Sequence, residues 1–349
     1  MGLPKNENFL VSLILLNLTK ASVKMKRFLF PGMVFFLLVS FGSCKKKPKD
    51  RWDDTLNKGI INIACDENFK YLMDAEIDAF EAHNNLAIIN PIYSNEKDVI
   101  RLMLDDSVRF VLSTRDLNTQ EKRTAEEKRM FVRKFLLAFD GITLIINRVN
   151  SDSLIGLPTI KKILTGEITE WSQINSESPL GTIRVIFENN KSGILRYVAD
   201  SLTSGKSLSS NLYAMNNSDE LIKKVCELPN AIGILGYNLI TDEVRRDALG
   251  TQGKLRLMRV GKEENATLQN TCLPYAGDIK NEEYPLWREV YGLLSDPKSG
   301  LSSGFSIFLA HDVGQIVLLK SGLLPAVTDP QNRSVNIVDG YPKEENKKE

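Results

Sequence analysis

The sequence predicts an α/β protein whose sheets are mostly parallel and flanked by helices. Three observations carry that expectation. Short β-branched runs alternate with segments of helical period from residue 60 to residue 129, and strands separated by helix-length segments pair in parallel. Apolar residues make up 42% of the 349, a globular proportion. About 300 residues follow the N-terminal apolar stretches, enough for two domains of ordinary size.

Each element follows from its own pattern. Residues 60–65 (IINIAC) are a β-branched run and predict a buried strand. Phe69, Leu72, Met73, Ile77 and Phe80 then recur at helical spacing, with Asp66 and Asn68 just ahead as N-cap residues. Residues 86–93 predict a second strand, 96–104 a second helix, and 110–112 a third strand that ends in Ser113-Thr114-Arg115. In such sheets ligands sit at the carboxyl ends of strands, which puts the loops 65–68 and 113–115 on one rim. A polar helix over 119–129 precedes an apolar stretch at 135–146, where Phe139-Asp140-Gly141 interrupts two strand-like runs, LLAF and ITLIIN. A Pro-started helix at 158–164, a Thr165-Gly166 turn and a strand at 182–187 follow. Ser192-Gly193 opens a helix that runs to about residue 202. Residues 218–228 are helical, 231–236 (AIGILG) a short strand and 255–260 strand-like; 284–294 and 301–319 show amphipathic helical patterning. The charged stretch 339–349 predicts a disordered tail.

Composition excludes several classes. A net charge of +1 gives no case for nucleic acid. The four cysteines contain no C-x-x-C spacing, which argues against zinc and thioredoxin chemistry. Either three thiols beyond Cys44 stay reduced and buried, or Cys226 and Cys272 pair. The histidines, His83 and His311, have no nucleophile or metal-ligand spacing beside them. Gly300 to Gly304 matches G-x-S-x-G, yet no buried strand leads into it, so it reads as a loop before a helix.

Residues 1–43 read as a pre-sequence, with Met25 the expected start. Lys26 and Arg27 precede an apolar run at 28–41, and Gly42-Ser43 are the small residues a signal peptidase needs. A cysteine directly after them predicts a bacterial lipoprotein signal, with Cys44 the acylated first residue of the mature chain. The run is shorter than the roughly 20 residues a bilayer span requires. The expectation is therefore a periplasmic or other extracytoplasmic protein held at a membrane only through its lipid. Residues 44–57, basic and proline-broken at KKKPKDR, read as a solvated tether.

Further along, FVLSTRDLNTQE (110–121), DGITLIIN (140–147), IKKILTGEITEWSQI (160–174) and AIGILGYNLI (231–240) occur in this order, followed by YPLWREVYGLL (284–294) and GQIVLLKSGLLPA (314–326). Together these blocks resemble the substrate-binding proteins of phosphate ABC transporters, a branch of the type II periplasmic binding proteins. The resemblance spans residues 60–326. It implies a two-lobed clamp, each lobe a mostly parallel sheet flanked by helices. Residues 58–139 and 239–338 would form one lobe and 140–238 the other, the chain crossing near 140–146 and returning near 235–238. It further implies a monomer without catalysis, metal or cofactor, which captures phosphate or a similar small oxyanion and meets ABC permease subunits. The anion would be held by backbone N–H groups at helix N-termini, where free donors and the helix dipole converge.

Three loops form the implied site. The first is Asp66, Glu67 and Asn68. The second is Ser113, Thr114 and Arg115, with Arg115 offering a forked positive charge. The third is Ser192 and Gly193; Asp140 matches an aspartate at the lobe crossover. The chain departs from the family pattern at named places. Asp66 and Glu67 stand where hydroxyl donors are expected, Glu188 replaces an arginine, and Cys65 and Ile194 lack hydroxyls. A carboxylate there helps if it is protonated or accepts a proton from the guest, which favours phosphate over sulfate. The alternative is that Asp66 only caps its helix and Glu67 faces solvent. A second reading keeps the clamp and makes it a sensing or interaction protein with a vestigial or different anion site.

Overall fold

A computed structural model of the chain describes residues 54–203, 205–241 and 243–327. The pre-sequence, Cys44, most of the expected tether and the tail at 339–349 lie outside the described residues. Residues 54–57, read as the end of the tether, dock on the body: Asp54 Oδ1 accepts a hydrogen bond from Leu301 N at 2.7 Å.

The first lobe follows the local patterns closely. β1 (Lys58–Asp66), β2 (Leu86–Ser94) and β3 (Phe110–Ser113) lie parallel in the order β2-β1-β3. The crossovers are α1 (Lys70–His83), which buries Leu72, Met73, Ile77 and Phe80, and α2 (Glu96–Leu104), capped by Asn95. α3 (Thr119–Glu127) opens with a reciprocal capping box between Asn118 and Glu121. A core of Ile63, Phe69, Phe80, Phe110 and Phe305 holds this lobe together.

β4 (Arg133–Asn147) belongs to both lobes. It is one 15-residue strand, so Phe139-Asp140-Gly141 does not interrupt it. Its first half pairs antiparallel with β12 (Trp287–Leu294), and from Ile142 onward it pairs with β8 (Ala231–Gly236). In the second lobe β8 is parallel to β6 (Arg184–Phe187), and β6 to β7 (Leu212–Ala214). α4 (Leu157–Thr165), α5 (Gly193–Tyr197) and α6 (Ser218–Glu227) cover that sheet. Trp171 is fully buried in its core, and its indole N–H donates to Asn230 O at 3.0 Å. Truncating such a side chain costs about 3–5 kcal/mol.

Short elements close the second lobe. α7 (Asn238–Thr241) and α8 (Glu243–Ala248) follow β8. The expected strand at 255–260 is two strands, β9 (Leu255–Leu257) and β10 (Arg259–Gly261). Met258 between them turns into the core and bonds Leu144 O. β9 joins β4, whereas β10 forms a small sheet with β5 (Leu154–Gly156) and β11 (Thr271–Cys272). α9 (Ala276–Lys280) lies before β12. Leu239 and Ile240, and then Met258, Val260, Ile279, Tyr284 and Leu286, pack in the second lobe's cores. Residues 239–286 thus sit with the second lobe rather than the first, and the chain returns through β12.

Two helix expectations are corrected. The 284–294 block contains a strand, because Arg288 and Val290 alternate with exposed Glu289 and β12 pairs with both β3 and β4. Long-range pairing outweighs the local helical pattern. The 301–319 helix is two, α10 (Leu301–Leu309) and α11 (Asp312–Lys320), bent by 60°. Gly314 permits the bend, since a Cβ there would lie 2.5 Å from Phe308 O. β13 (Leu324–Pro325) ends the described chain on β4. Cys65, Cys226 and Cys272 are all free, so the 226–272 pairing is not formed.

Candidate functional site

The carboxyl ends of β1, β3, β6 and β8 all turn toward the middle of β4. The residues just past those ends meet around one guanidinium, Arg288, which is 4% exposed. The register of β12 on β4 sets Arg288 directly opposite Asp140. Arg288 Nε donates to Asp140 Oδ2 at 3.0 Å, and Nη2 lies 2.9 Å from the same oxygen without making a hydrogen bond. Nη1 has no partner. The guanidinium carbon stands 5.3 Å from the Phe69 ring centroid. Burial works against the charge, but Asp140, Asp66, Glu188 and Glu96 outweigh it and keep Arg288 protonated.

The acids around it are under-satisfied. Asp66 caps the turn Glu67–Phe69, with Oδ1 accepting from Asn68 N (3.1 Å) and Nδ2 (3.0 Å); its Oδ2 has no partner. Burial, opposed by Arg288, raises the Asp66 carboxyl to about 7. Glu188, just past β6, is 2% exposed with Oε1 unpartnered, and burial together with Asp66 pushes it up to about 8. Asp140 Oδ1, Asn68 Oδ1 and Asn238 Oδ1 are also buried without partners. Near neutral pH Glu188 is thus mostly protonated and Asp66 about half so, and the cluster offers both donors and acceptors.

The Ser113-Thr114-Arg115 loop is different, because its donors are already used. Glu96, at the start of α2 just past the end of β2, reaches across to this loop along the same rim. Its Oε1 accepts from Thr114 N (3.2 Å), Thr114 Oγ1 and Ser113 Oγ (3.5 Å). Its Oε2 accepts from Arg196 Nε of the second lobe at 2.7 Å and lies 3.4 Å from Arg115 Nε. Burial would raise Glu96, but Arg196, the Thr114 hydroxyl and Arg288 outweigh it and hold the carboxyl below its ordinary range. Arg115 is turned toward Glu121, binding it through Nη1 (2.6 Å) and Nη2 (2.9 Å) and donating to Asp116 O. Arg115 is expected from the sequence to offer its fork to a guest; in this structure the fork is spent within its own lobe.

The third loop closes the gap from the second lobe. Ser192 caps α5 by accepting from Leu195 N at 3.1 Å. Gly193 lies so close to the first lobe that a Cβ would stand 2.9 Å from Thr114 Oγ1, 3.1 Å from Arg288 Nη1 and 3.2 Å from Asp66 Oδ2. Only glycine allows that approach without displacing a neighbour. Two more contacts cross the gap: Asn189 Nδ2 donates to Glu67 at 2.5 Å, and Asn238 Nδ2 to Asn68 O at 2.7 Å. Glu67 is therefore a half-buried bridge rather than a solvent-facing acid.

Asp66, Asn68, Thr114, Asp140 and Gly193 thus gather at Arg288, Ser192 caps the adjoining helix, and Ser113 and Arg115 face Glu96. Sequence reasoning missed Arg288, Glu96 and Arg196. Arg288 carries a signal, a charge in the buried phase of a period-2 pattern with Val290, which a helical reading of that block hides. Glu96 carries one too, since it follows the end of β2 on the same rim as Asp66 and Ser113.

Such a clamp, two α/β lobes sharing one strand with a charged gap between their strand ends, defines a periplasmic-binding-protein architecture. Residues 53–313 match the family model described as PBP superfamily domain, and the chain belongs to that family. It is similar to "Phosphate-binding protein PstS" of Staphylococcus epidermidis, 24% identical over 210 residues, 59% of this chain and 60% of the relative. The protein of that name from Staphylococcus aureus is 22% identical over 211 residues, again 59% and 60%. The chain thus spans 60% of the length of these curated relatives. Among solved structures, a substrate-binding protein from Clostridium perfringens with bound phosphate aligns with TM-score 0.62 at 20% identity, covering 77% of this chain and all of that one. An ABC-type phosphate transport receptor from Vibrio cholerae aligns with TM-score 0.56 at 17% identity, covering 76% and 100%. These likenesses establish the fold.

Proposed function

We propose that this protein is a monomeric, lipid-anchored solute-binding protein working outside the cytoplasmic membrane of a bacterium. It closes over a small oxyanion, phosphate foremost, and hands it to the permease subunits of an ABC transporter. The observation that carries this reading is Arg288, a buried guanidinium in the gap between two lobes whose Nη1 has no partner. A guanidinium left this way is poised for an oxyanion oxygen. The names of the curated relatives and the phosphate held by the Clostridium perfringens protein support the choice of guest.

The neighbouring groups favour a guest that carries its own proton. Arg288 Nη1, the Ser192 hydroxyl and the amides opening α5 supply donors, while Asp66 Oδ2 and Glu188 Oε1 lack partners. Hydrogen phosphate offers both acceptor oxygens and a hydroxyl, whereas sulfate at neutral pH leaves a buried acceptor unpaired. This is binding followed by release, with no bond broken. Titration calorimetry of the mature chain tests it: phosphate and arsenate give binding heats, and sulfate binds roughly tenfold more weakly or worse. No heat from phosphate at millimolar concentration overturns it. Cys44→Ser tests the anchor, moving the protein from the membrane to the soluble fraction.

A further inference from the structure

We propose that Glu96 is a tethered stand-in for the guest: its carboxylate fills the donor nest of Ser113 and Thr114 and ties it to Arg196 of the other lobe, so the clamp closes empty and a guest binds by displacing it. The Glu96 side chain is 4% exposed, and both oxygens are engaged. Oε1 takes a backbone amide and two hydroxyls, which is the donor set a loop offers to one oxygen of an oxyanion. Oε2 and Oε1 together take the Arg196 guanidinium through Nε at 2.7 Å and Nη2 at 3.3 Å. Charge-assisted pairs of this kind are the strong ones. Arg196 also reaches Thr114 O (3.4 Å) and Oγ1 (3.3 Å), so one second-lobe side chain grips both the nest and its occupant.

The nest and the Arg288 cluster are adjacent halves of one gap. Thr114 Oγ1, bonded to Glu96, and Arg288 Nη1 converge on the same Gly193. One half is saturated and the other carries the unpartnered atoms. Swinging Glu96 out frees the amide of Thr114 and the hydroxyls of Ser113 and Thr114 to face the same guest as Arg288. A carboxylate held on the chain competes at high effective concentration, so it sets how strongly a free anion must bind before it wins.

The identity of the guest rests on the oxyanion reading above, but the latch does not. The test compares the full chain with Glu96→Ala and Arg196→Met, each first confirmed as folded by circular dichroism. Small-angle scattering without ligand is expected to show both variants more extended than the wild type. Calorimetry is expected to show phosphate binding to Glu96→Ala about tenfold tighter. Variants as compact as the wild type overturn the proposal, and so does a Glu96→Ala affinity that is unchanged or weaker. If neither wild type nor Glu96→Ala binds phosphate, the carrier reading fails and scattering alone decides the latch.

Discussion

Two arginines stand near the rim of this clamp, and their neighbourhoods differ. Arg115 follows β3 in a loop that resembles an anion-binding turn, yet its nitrogens are spent on Glu121, Asp116 O and Glu96. Arg288 comes from the start of β12 in no recognisable loop motif, and part of its guanidinium has no partner. Folded proteins pair nearly all buried polar groups. A buried guanidinium that keeps an unpartnered nitrogen beside its ion pair is poised for a guest, whereas a saturated one holds the fold. Motif likeness selected the first arginine; hydrogen-bond accounting selects the second.

The comparison breaks most visibly at Arg288. Arg288→Met leaves Asp140 buried without its ion pair, a change that typically costs about 3–5 kcal/mol. Thermal melting of the variant should fall accordingly, and calorimetry should show phosphate binding lost. Retained phosphate affinity in a folded Arg288→Met would move the site elsewhere.

Most of the first lobe was legible because its signals are local. The spacing of Leu72, Met73, Ile77 and Phe80, and the β-branched run of β1, each decide an element within a dozen residues. β12 was not, since its identity as a strand depends on β3 and β4, more than a hundred residues earlier in the chain. Reading that block as a helix also hid Arg288, because only the strand register sets it against Asp140. The loop motifs placed Asp66, Thr114, Asp140 and Gly193 at the gap, but a motif names residue types and not their partners. Glu96 passed as an ordinary acid in a first helical turn, and nothing local reveals that its carboxylate turns to Thr114 and Arg196.

Protonation sharpens the contrast next. The folded Asp66 carboxyl, about 7, lies above its ordinary 3.8, and Glu188, about 8, above 4.5. The unfolded chain loses these protons first as pH rises. Their contribution to stability is therefore complete below about pH 4 and declines up to about pH 7 for Asp66 and about pH 8 for Glu188. The decline for each is on the order of a few kcal/mol. Denaturant midpoints of the ligand-free protein should fall across that window, and Asp66→Asn with Glu188→Gln should flatten the fall. Glu96, held ionised by Arg196, adds no such decline.

Glu76 supplies a control remote from the acid cluster. It is buried on α1 with both carboxyl oxygens unpartnered, and burial alone raises it to about 9. Glu76→Met removes an unsatisfied buried group at similar volume and should stabilise the protein by about 1–3 kcal/mol. Phosphate affinity should not follow. A matching change in affinity would mean that buried acids act on the guest merely by destabilising the lobe.

The smallest expected effect is the most discriminating. Arg115→Met removes the two-pronged contact to Glu121, which also serves in the cap of α3. Loss of a half-buried pair of this kind lowers stability by about 1–2 kcal/mol, read as an earlier denaturant midpoint. Glu96 keeps Arg196 and Thr114, and Arg288 is untouched, so phosphate affinity should stay within about threefold of the wild type. If affinity instead collapses while the fold persists, Arg115 swings from Glu121 to the guest on binding. The distinction between a saturated arginine and an available one would then belong to the empty clamp alone.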